Sequence, residues 1–352
     1  MRPIGVAVIG TGWCGGIRAE TLASHALVKS LHLAETRPER LAELKAKLKP
    51  ATAVVDYRQL LGNKEIEAVY ISATPESTHY PMARDSLAAG KHVFLEKPIA
   101  LTLAEADELI NTAKAKNLKF TIGYSQRFNP KFAYVRKCIR DATIGKPVTA
   151  LVSRHITRML GTKISGRSKL SPAAMEATHD LDFVFWCLEP AKPVRVYSQV
   201  NYGAMRAMSG GDVPDQQWVV VTMDSGMSVV VGGGWSLPLG YPNFSTTWIE
   251  MIGTEGAVMV DDSHKDVVVN TVQKGMQLPM STMPGEFVDH TYAGPMAPET
   301  VHFLEAVVHD RPVMVTPEHA RMVMEVYIAA DLSAERNEVI TLPLKPSLRA
   351  VA

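Results

Sequence analysis

The stretch that most constrains this chain is Gly10-Thr11-Gly12-Trp13-Cys14-Gly15, a G-x-G-x-x-G close to its start. The setting gives the glycines weight. The run Ile4 to Ile9 stops directly at Gly10 and reads as a buried parallel strand, and a helical pattern follows from about Cys14 to Ser24. Gly10 permits a tight turn, Gly12 leaves room for a pyrophosphate, and Gly15 lets the helix approach the strand. Amides and dipole at the helix N-terminus then favour an anion. The second strand, Leu27 to Glu35, ends in an acid 20 residues past the last glycine, where a carboxylate would take the hydroxyls of a ribose. The motif therefore predicts a dinucleotide held by Gly10, Thr11, Gly12, Trp13, Cys14, Gly15, Glu35, Thr36 and Arg37. Glu35 favours NAD, because a carboxylate repels the 2′-phosphate of NADP. Arg37 would attract that phosphate, which keeps NADP as the alternative.

The alternation continues. Pro38 stands at a first helical position and its helix runs to about Leu48. Asp56 suits the cap of a short helix. Glu67 to Ser72 reads as a strand, Glu76 to Ala89 as a helix and His92 to Leu95 as a strand. Thr102 and Glu105 have capping-box spacing and open a helix to about Lys116, and Lys119 to Ile122 closes the set. Strands alternating with helices predict an α/β fold, with a doubly wound parallel Rossmann sheet over residues 1–123.

Past Gly123 the grammar changes. A helix is expected from about Phe128 to Asp141, a strand from Pro147 to Arg158, a loop from Gly161 to Lys169 and a helix from Ser171 to Cys187. Six strands then follow with only turns between them, the last at Asp266 to Asn270, and Asp224-Ser225-Gly226 marks a hairpin. Gln277 to Pro298 reads as irregular. Two helices, Ala297 to His309 and Pro317 to Arg336, and a strand, Val339 to Leu342, end the chain. Residues 124–352 are thus expected to form an α+β domain on a large, open, mostly antiparallel sheet. A length of 352 residues suits two such domains.

The formal net charge is +1 and no long run of like charge occurs, so neither nucleic acid nor a membrane is an expected partner. No window approaches the roughly 18 apolar residues of a membrane span. No secretory leader is recognised, and the three scattered cysteines fit a reducing compartment, so a cytoplasmic location is expected. Neither H-E-x-x-H nor a cysteine–histidine cluster occurs, and no metal is expected.

The chemistry centres on a lysine and a histidine. Glu96-Lys97-Pro98 follows the fifth strand, and ligands of open parallel sheets lie outside the carboxyl ends of the strands. Further on, Glu176, His179 and Asp182 recur at i, i+3 spacing on a predicted helix and would share one face. A histidine flanked by acids is suited to proton transfer.

At this point the chain resembles the glucose–fructose oxidoreductase, inositol dehydrogenase and rhizopine-catabolism (Gfo/Idh/MocA) oxidoreductases. The resemblance rests on Gly10 to Gly15, Ala73-Thr74-Pro75 with His79, and Glu96-Lys97-Pro98. It continues through Gly123-Tyr124-Ser125-Gln126-Arg127-Phe128, His179-Asp180-Leu181-Asp182 and Gly253-Thr254-Glu255-Gly256, in order and over almost the whole length. It implies hydride transfer between a secondary alcohol of a sugar, inositol or related cyclic polyol and a nicotinamide. It adds Thr74, Pro75, His79, Glu96 and Lys97 to the cofactor site. Lys97, His179 and Glu176 become the catalytic candidates: His179 takes the hydroxyl proton, Lys97 stabilises the oxygen, and Glu176 orients His179 or a substrate hydroxyl. One departure stands out. Many members carry an Asp four residues before this histidine; here that position is Met175, and the nearest acid, Glu176, lies three before.

Lys97, Tyr124, Arg127, His155, Asp182 and Trp235 are the substrate-pocket candidates. Arg154 and Arg158 have the opposite strand parity from His155, so at most one set faces the site. Trp235 and Tyr241 are candidates for stacking on a sugar ring. A dihydrodiol or dihydroaromatic dehydrogenase and a non-catalytic nucleotide-binding regulator are the competing readings; the Lys97–His179 pair speaks against the regulator. The runs Trp218-Val219-Val220-Val221 and Val229-Val230-Val231 suggest a sheet covered on both faces, by helices on one and a partner subunit on the other. A homodimer or homotetramer is therefore expected.

Overall fold

The structure, a computed structural model, describes residues 2–166, 169–261, 267–277, 287–346 and 348. Strand β1 (Ile4–Ile9) is buried along its whole length and delivers the glycine turn to helix α1 (Trp13–Ala23). There follow β2 (Val28–Ala34), α2 (Pro38–Leu48), β3 (Thr52–Val54), α3 (Arg58–Leu61), β4 (Ile66–Ile71), α4 (His79–Ala88), β5 (His92–Glu96), α5 (Leu103–Ala115) and β6 (Phe120–Gly123). The six strands are parallel, in the order β3-β2-β1-β4-β5-β6. This is the doubly wound Rossmann order, with its reversal between β1 and β4. The local signals act as expected. Thr102 Oγ1 accepts from Glu105 N at 3.1 Å, while Glu105 Oε2 accepts from Thr102 N at 3.0 Å. Asp56 Oδ1 accepts from Arg58 N at 3.0 Å, at the start of α3. Strand β3 was not expected.

The chain continues through α6 (Pro130–Arg140), β7 (Pro147–Thr157), α7 (Arg158–Ser165), a π turn at Ala173–Ala177, α8 (Thr178–Leu188), β8 (Pro193–Asn201) and α9 (Ala204–Ser209). Next come β9 (Gln216–Met223), β10 (Ser228–Leu237), β11 (Ser245–Gly253), β12 (Ala257–Asp261), β13 (Val269–Thr271), β14 (Gly275–Gln277), β15 (Phe287–Val288), β16 (Thr291–Tyr292), α10 (Met296–Val308), α11 (Pro317–Arg336) and β17 (Ile340–Thr341). Seven strands form the second large sheet, β12-β11-β7-β10-β9-β8-β17. Its pairings are antiparallel except β7 with β10, so the expected mostly antiparallel sheet is present. Two expectations need correcting. Most of the loop anticipated at Gly161 to Lys169 is helix α7, and α9 was not anticipated. The strand expected at Asp266 to Asn270 is seen as Val269–Thr271; Asp266 lies outside the described residues.

The chain divides into two compact units, Met1–Phe128 with Thr282–Arg321, and Asn129–Ser281 with Met322–Ala352. A single cut after residue 123 therefore does not describe it. The physical reason is α10, which packs on α1 and gives Phe303 and Leu304 to the core formed by Val6, Val8, Leu22, Leu33, Tyr70 and Phe94. The rings of Tyr70, Phe94 and Phe303 meet at centroid distances of 5.3–5.9 Å.

In the second unit, strand parity sorts the sheet residues. Val152, Val219, Val221, Val229, Val231 and Met251 are fully buried on the face that carries the π turn and α8. Each such side chain contributes about 1.5–3 kcal/mol relative to an exposed one. The opposite face shows Leu151, Val220, Ile252 and Met259, which are 36–60% exposed. Among the described residues, then, the helices of this unit cover the first of these faces. No helix among the described residues is long and apolar enough to cross a membrane.

Candidate active site

The glycine turn has the shape its sequence implies. Gly10 has φ +77°, and a Cβ there would lie 2.6 Å from Ala73 Cα; one on Gly15 would lie 1.9 Å from the Gly10 carbonyl oxygen. A Cβ on Gly12 would meet nothing within 4 Å, so the space above the turn is open where α1 begins. The first turn of α1 contains no acid to oppose an anion. Glu35, at the end of β2, is buried against the turn. Its Oε2 accepts from Thr11 N at 2.9 Å, Thr11 Oγ1 at 2.8 Å and Arg37 Nη2 at 3.1 Å. Its Oε1 accepts from Arg37 N and Nε, both at 3.0 Å. Burial alone would raise this carboxyl, but the bonds from Arg37 and Thr11 outweigh it and hold it at about 2. Glu35 is thus an anion locked to the glycine turn, with Arg37 folded onto it. Trp13 and Thr36 are exposed beside the turn. The Cys14 thiol is pushed up to about 12 by burial and by Glu96, which leaves it a poor nucleophile.

The carboxyl ends of β4, β5 and β6 carry the next candidates. Thr74 and Pro75 are exposed after β4. His79 is buried: Nδ1 lies 2.8 Å from Pro98 O and Nε2 3.0 Å from Ala73 O. The ring ties the turn after β4 to the turn after β5, so its part in a cofactor site is indirect. A neutral imidazole donates to only one of two carbonyls; an imidazolium donates to both. Lys97, partly buried, stands on the β5 turn beside Glu96. Arg18 on α1 donates to Glu96 Oε1 through Nε at 3.1 Å and Nη2 at 2.5 Å. Tyr124 and Arg127, expected to line a pocket, are buried in this unit, and Arg127 Nη1 donates to Met314 O at 3.0 Å.

The second unit places the histidine on a distorted helix. Between Pro172 and Leu188 every residue is buried except His179, which is partly exposed. The π turn just before it carries Glu176, whose Oε1 accepts from Trp235 Nε1 at 2.9 Å. Trp235 is only 1% exposed, so it backs Glu176 and is not an open stacking platform as expected. Gly233 lets the turn sit directly on β10, since a Cβ there would lie 2.8 Å from Ala177 Cβ. Asp182 is fully buried. Arg154 lies on the helix side of β7, where it donates to Asp180 through Nε at 2.6 Å and Nη2 at 2.7 Å. His155, a substrate-pocket candidate, points to the other face of the sheet, its ring 6.5 Å from that of Trp218. Sequence reasoning missed Arg18, Glu299, Asp180 and Asp331; only the three successive glycines 232–234 on β10 hinted at a close approach. Among the described residues no group of three or more His, Cys, Asp or Glu is placed to hold a metal.

Comparison with known proteins agrees with this arrangement. Residues 4–124 match an oxidoreductase family with an NAD-binding Rossmann fold, and residues 132–259 match the GFO/IDH/MocA C-terminal domain. The chain is 27% identical to the myo-inositol 2-dehydrogenase of Thermotoga maritima, over 96% of this chain and 98% of that one. It shares the fold of a myo-inositol 2-dehydrogenase from Lactobacillus plantarum, with a TM-score of 0.85 at 20% identity over 97% of this chain and 100% of that one. It also shares the fold of a scyllo-inositol dehydrogenase from Lactobacillus casei solved with NAD(H) and scyllo-inositol, with a TM-score of 0.83 at 19% identity over 97% and 99%.

Proposed function

Because the chain belongs to the GFO/IDH/MocA oxidoreductase family, with its NAD-binding Rossmann domain, we propose that it oxidises or reduces a secondary alcohol of a cyclic polyol of the inositol class. One observation carries the reading. Lys97 stands at the carboxyl end of β5, on the same sheet edge as the glycine turn after β1, with only β4 between them. Two strand spacings of about 4.8 Å put the two some 10 Å apart along that edge. The open space over Gly12 and the anionic Glu35 at the next strand end fit a dinucleotide with a free ribose, which favours NAD over NADP. Gly10, Gly12, Gly15 and Glu35 would hold its adenosine side, and the turns after β4 and β5 its nicotinamide side.

When bound, the nicotinamide supplies the hydride acceptor or donor. The chain's own residues handle the oxygen. The Lys97 ammonium donates a hydrogen bond to the reacting oxygen and stabilises its developing negative charge. His179 takes the hydroxyl proton as general base and returns it in the reverse direction. Glu176, oriented by the Trp235 indole, aligns His179 or a neighbouring hydroxyl. The test is formation of reduced nicotinamide with NAD and then NADP across inositols, aldoses, amino sugars and cyclic dihydrodiols. Lys97→Met and His179→Ala are each expected to lower kcat about 10²–10⁴-fold. Full turnover in either variant removes that residue from the mechanism.

We further propose that a second copy of the chain covers the outer face of the large sheet. The exposed row of Leu151, Val220, Ile252 and Met259 supports this, since such apolar rows on a sheet face mark contact surfaces.

A further inference from the structure

The residues on both sides of Lys97 are pinned, and the pins come from distant parts of the chain. On one side, Glu96 accepts two bonds from Arg18, which is only 1% exposed and lies 3.9 Å above the Phe94 ring. The same guanidinium donates to Glu299 Oε2 and to Thr300 Oγ1, both at 2.8 Å. Glu299 and Thr300 belong to α10, some two hundred residues further along. On the other side, His79 holds the carbonyl of Pro98. Gly123 leaves space for the arrangement, since a Cβ there would lie 2.9 Å from Glu96 Oε2.

Packing alone does not call for this cluster. A buried group of one guanidinium and two carboxylates is a costly way to fill a core, and apolar residues of similar volume commonly serve as well. Phe94 and Phe303 already provide an apolar wall at this place. What an Arg fork adds is a fixed direction for each carboxylate it grips. Here one of those carboxylates is the residue preceding Lys97.

We infer that Arg18 and Glu299 are positioning residues for Lys97, fixing through Glu96 the turn from which its ammonium reaches the reacting oxygen. This rests on the reading of Lys97 as the group that binds that oxygen. Misplacement of a reacting group by about 1 Å can cost on the order of 10²-fold in rate without touching the chemistry itself. Loss of the clamp therefore lowers kcat by more than it weakens NAD, whose adenosine side stays held by the glycine turn and Glu35.

The decisive variant is Arg18→Met/Glu299→Met, which removes the fork and its second carboxylate together and leaves the net charge of the cluster unchanged, with Glu96 the carboxylate that remains. Arg18→Lys, which keeps the charge but not the fork, accompanies it. The measurements on the whole protein are the thermal midpoint, kcat and KM, NAD affinity by calorimetry, and the rate of Lys97 acetylation by acetic anhydride, followed peptide by peptide. The expected result is a thermal midpoint close to wild type, NAD affinity within about threefold, kcat down by about tenfold or more, and an acetylation rate changed by at least about threefold. An unchanged acetylation rate in a folded double variant overturns the inference, whatever kcat does. So does an NAD affinity that falls in parallel with kcat, which would mark a general structural role. If wild type turns over no polyol at all, the functional reading fails, and the acetylation rate still decides whether the clamp positions Lys97.

Discussion

Asp331→Asn is expected to stabilise the protein at neutral pH and to do nothing in acid. Asp331 lies on α11, and Gln217 Nε2 donates to its Oδ1 at 3.1 Å. The same amide donates to Ser198 Oγ at 3.1 Å, and Gln217 Oε1 accepts from Ala173 N at 3.0 Å. These bonds tie α11 to the start of the π turn that carries Glu176. Burial pushes the Asp331 carboxyl up from 3.8 to about 6, against the hydrogen bonds from Ser171 and Gln217, which lower it. A carboxyl raised in the folded state binds its proton more tightly there than in the unfolded chain. Its contribution is complete below about pH 4 and is lost as the pH rises through about 6. The gap corresponds to about 3 kcal/mol. Asparagine keeps the Oδ1 acceptor and never ionises. At pH 8 the variant should therefore exceed wild type by about 3 kcal/mol, or some 6–12 °C in Tm for a unit of this size. At pH 4 the two should coincide. Thermal unfolding followed by circular dichroism at pH 4, 6 and 8 measures this. A Tm difference that is the same at all three values, or a variant less stable than wild type at pH 8, refutes the reasoning.

Two further outcomes test other parts of the second unit. Gly233→Ala forces a Cβ to within 2.8 Å of Ala177 Cβ and 2.9 Å of Ala177 N, and should cost about 1–3 kcal/mol by overpacking. An alanine variant with wild-type Tm would show that the π turn does not press on β10. Light scattering at micromolar concentration should give a dimer or tetramer, and Leu151→Glu/Met259→Glu should shift it towards monomer with secondary structure retained; a monomeric wild type ends that proposal.

The two halves of the chain differ in how much of their fold can be read along the sequence. In the first half each strand is an apolar run closed by local punctuation: Gly10 after β1, Pro38 opening α2, the Thr102–Glu105 box opening α5. The interactions involved span few residues, so β1, β2, β4, β5 and β6 fall within one or two residues of expectation. Strand β3 escapes because three half-buried residues are too few to show a period. The return of α10 escapes for a different reason. Its own pattern is an ordinary amphipathic helix, and nothing in it says that its partner is α1, with Arg18. In the second half, glycine misleads. Gly161 reads as a loop residue, yet it sits in α7 because a Cβ there would lie 2.6 Å from the Trp235 side chain. It marks a contact, as Gly233 does.

The candidate site divides along the same line. Glu35 and Lys97 are legible because strand ends in a parallel sheet are where ligands bind, and the glycine turn names the ligand. Arg18, Asp180, Glu299 and Asp331 are not legible, because each depends on a partner 26 to 281 residues away. Glu176 is the instructive case. Its place three residues before His179 departs from the spacing of many relatives, and α-helical geometry would put the two on one face. The structure removes that premise, since Glu176 lies in a π turn, whose wider i→i+5 ring changes the angle between successive side chains. The offset in sequence and the irregularity in the helix fall at the same residue. The indole of Trp235 holds one oxygen of Glu176 from the sheet side, and Trp235→Phe should therefore lower kcat by about tenfold while the thermal midpoint stays within a few degrees of wild type; an unchanged kcat would mean that this bond does not orient Glu176 for the reaction.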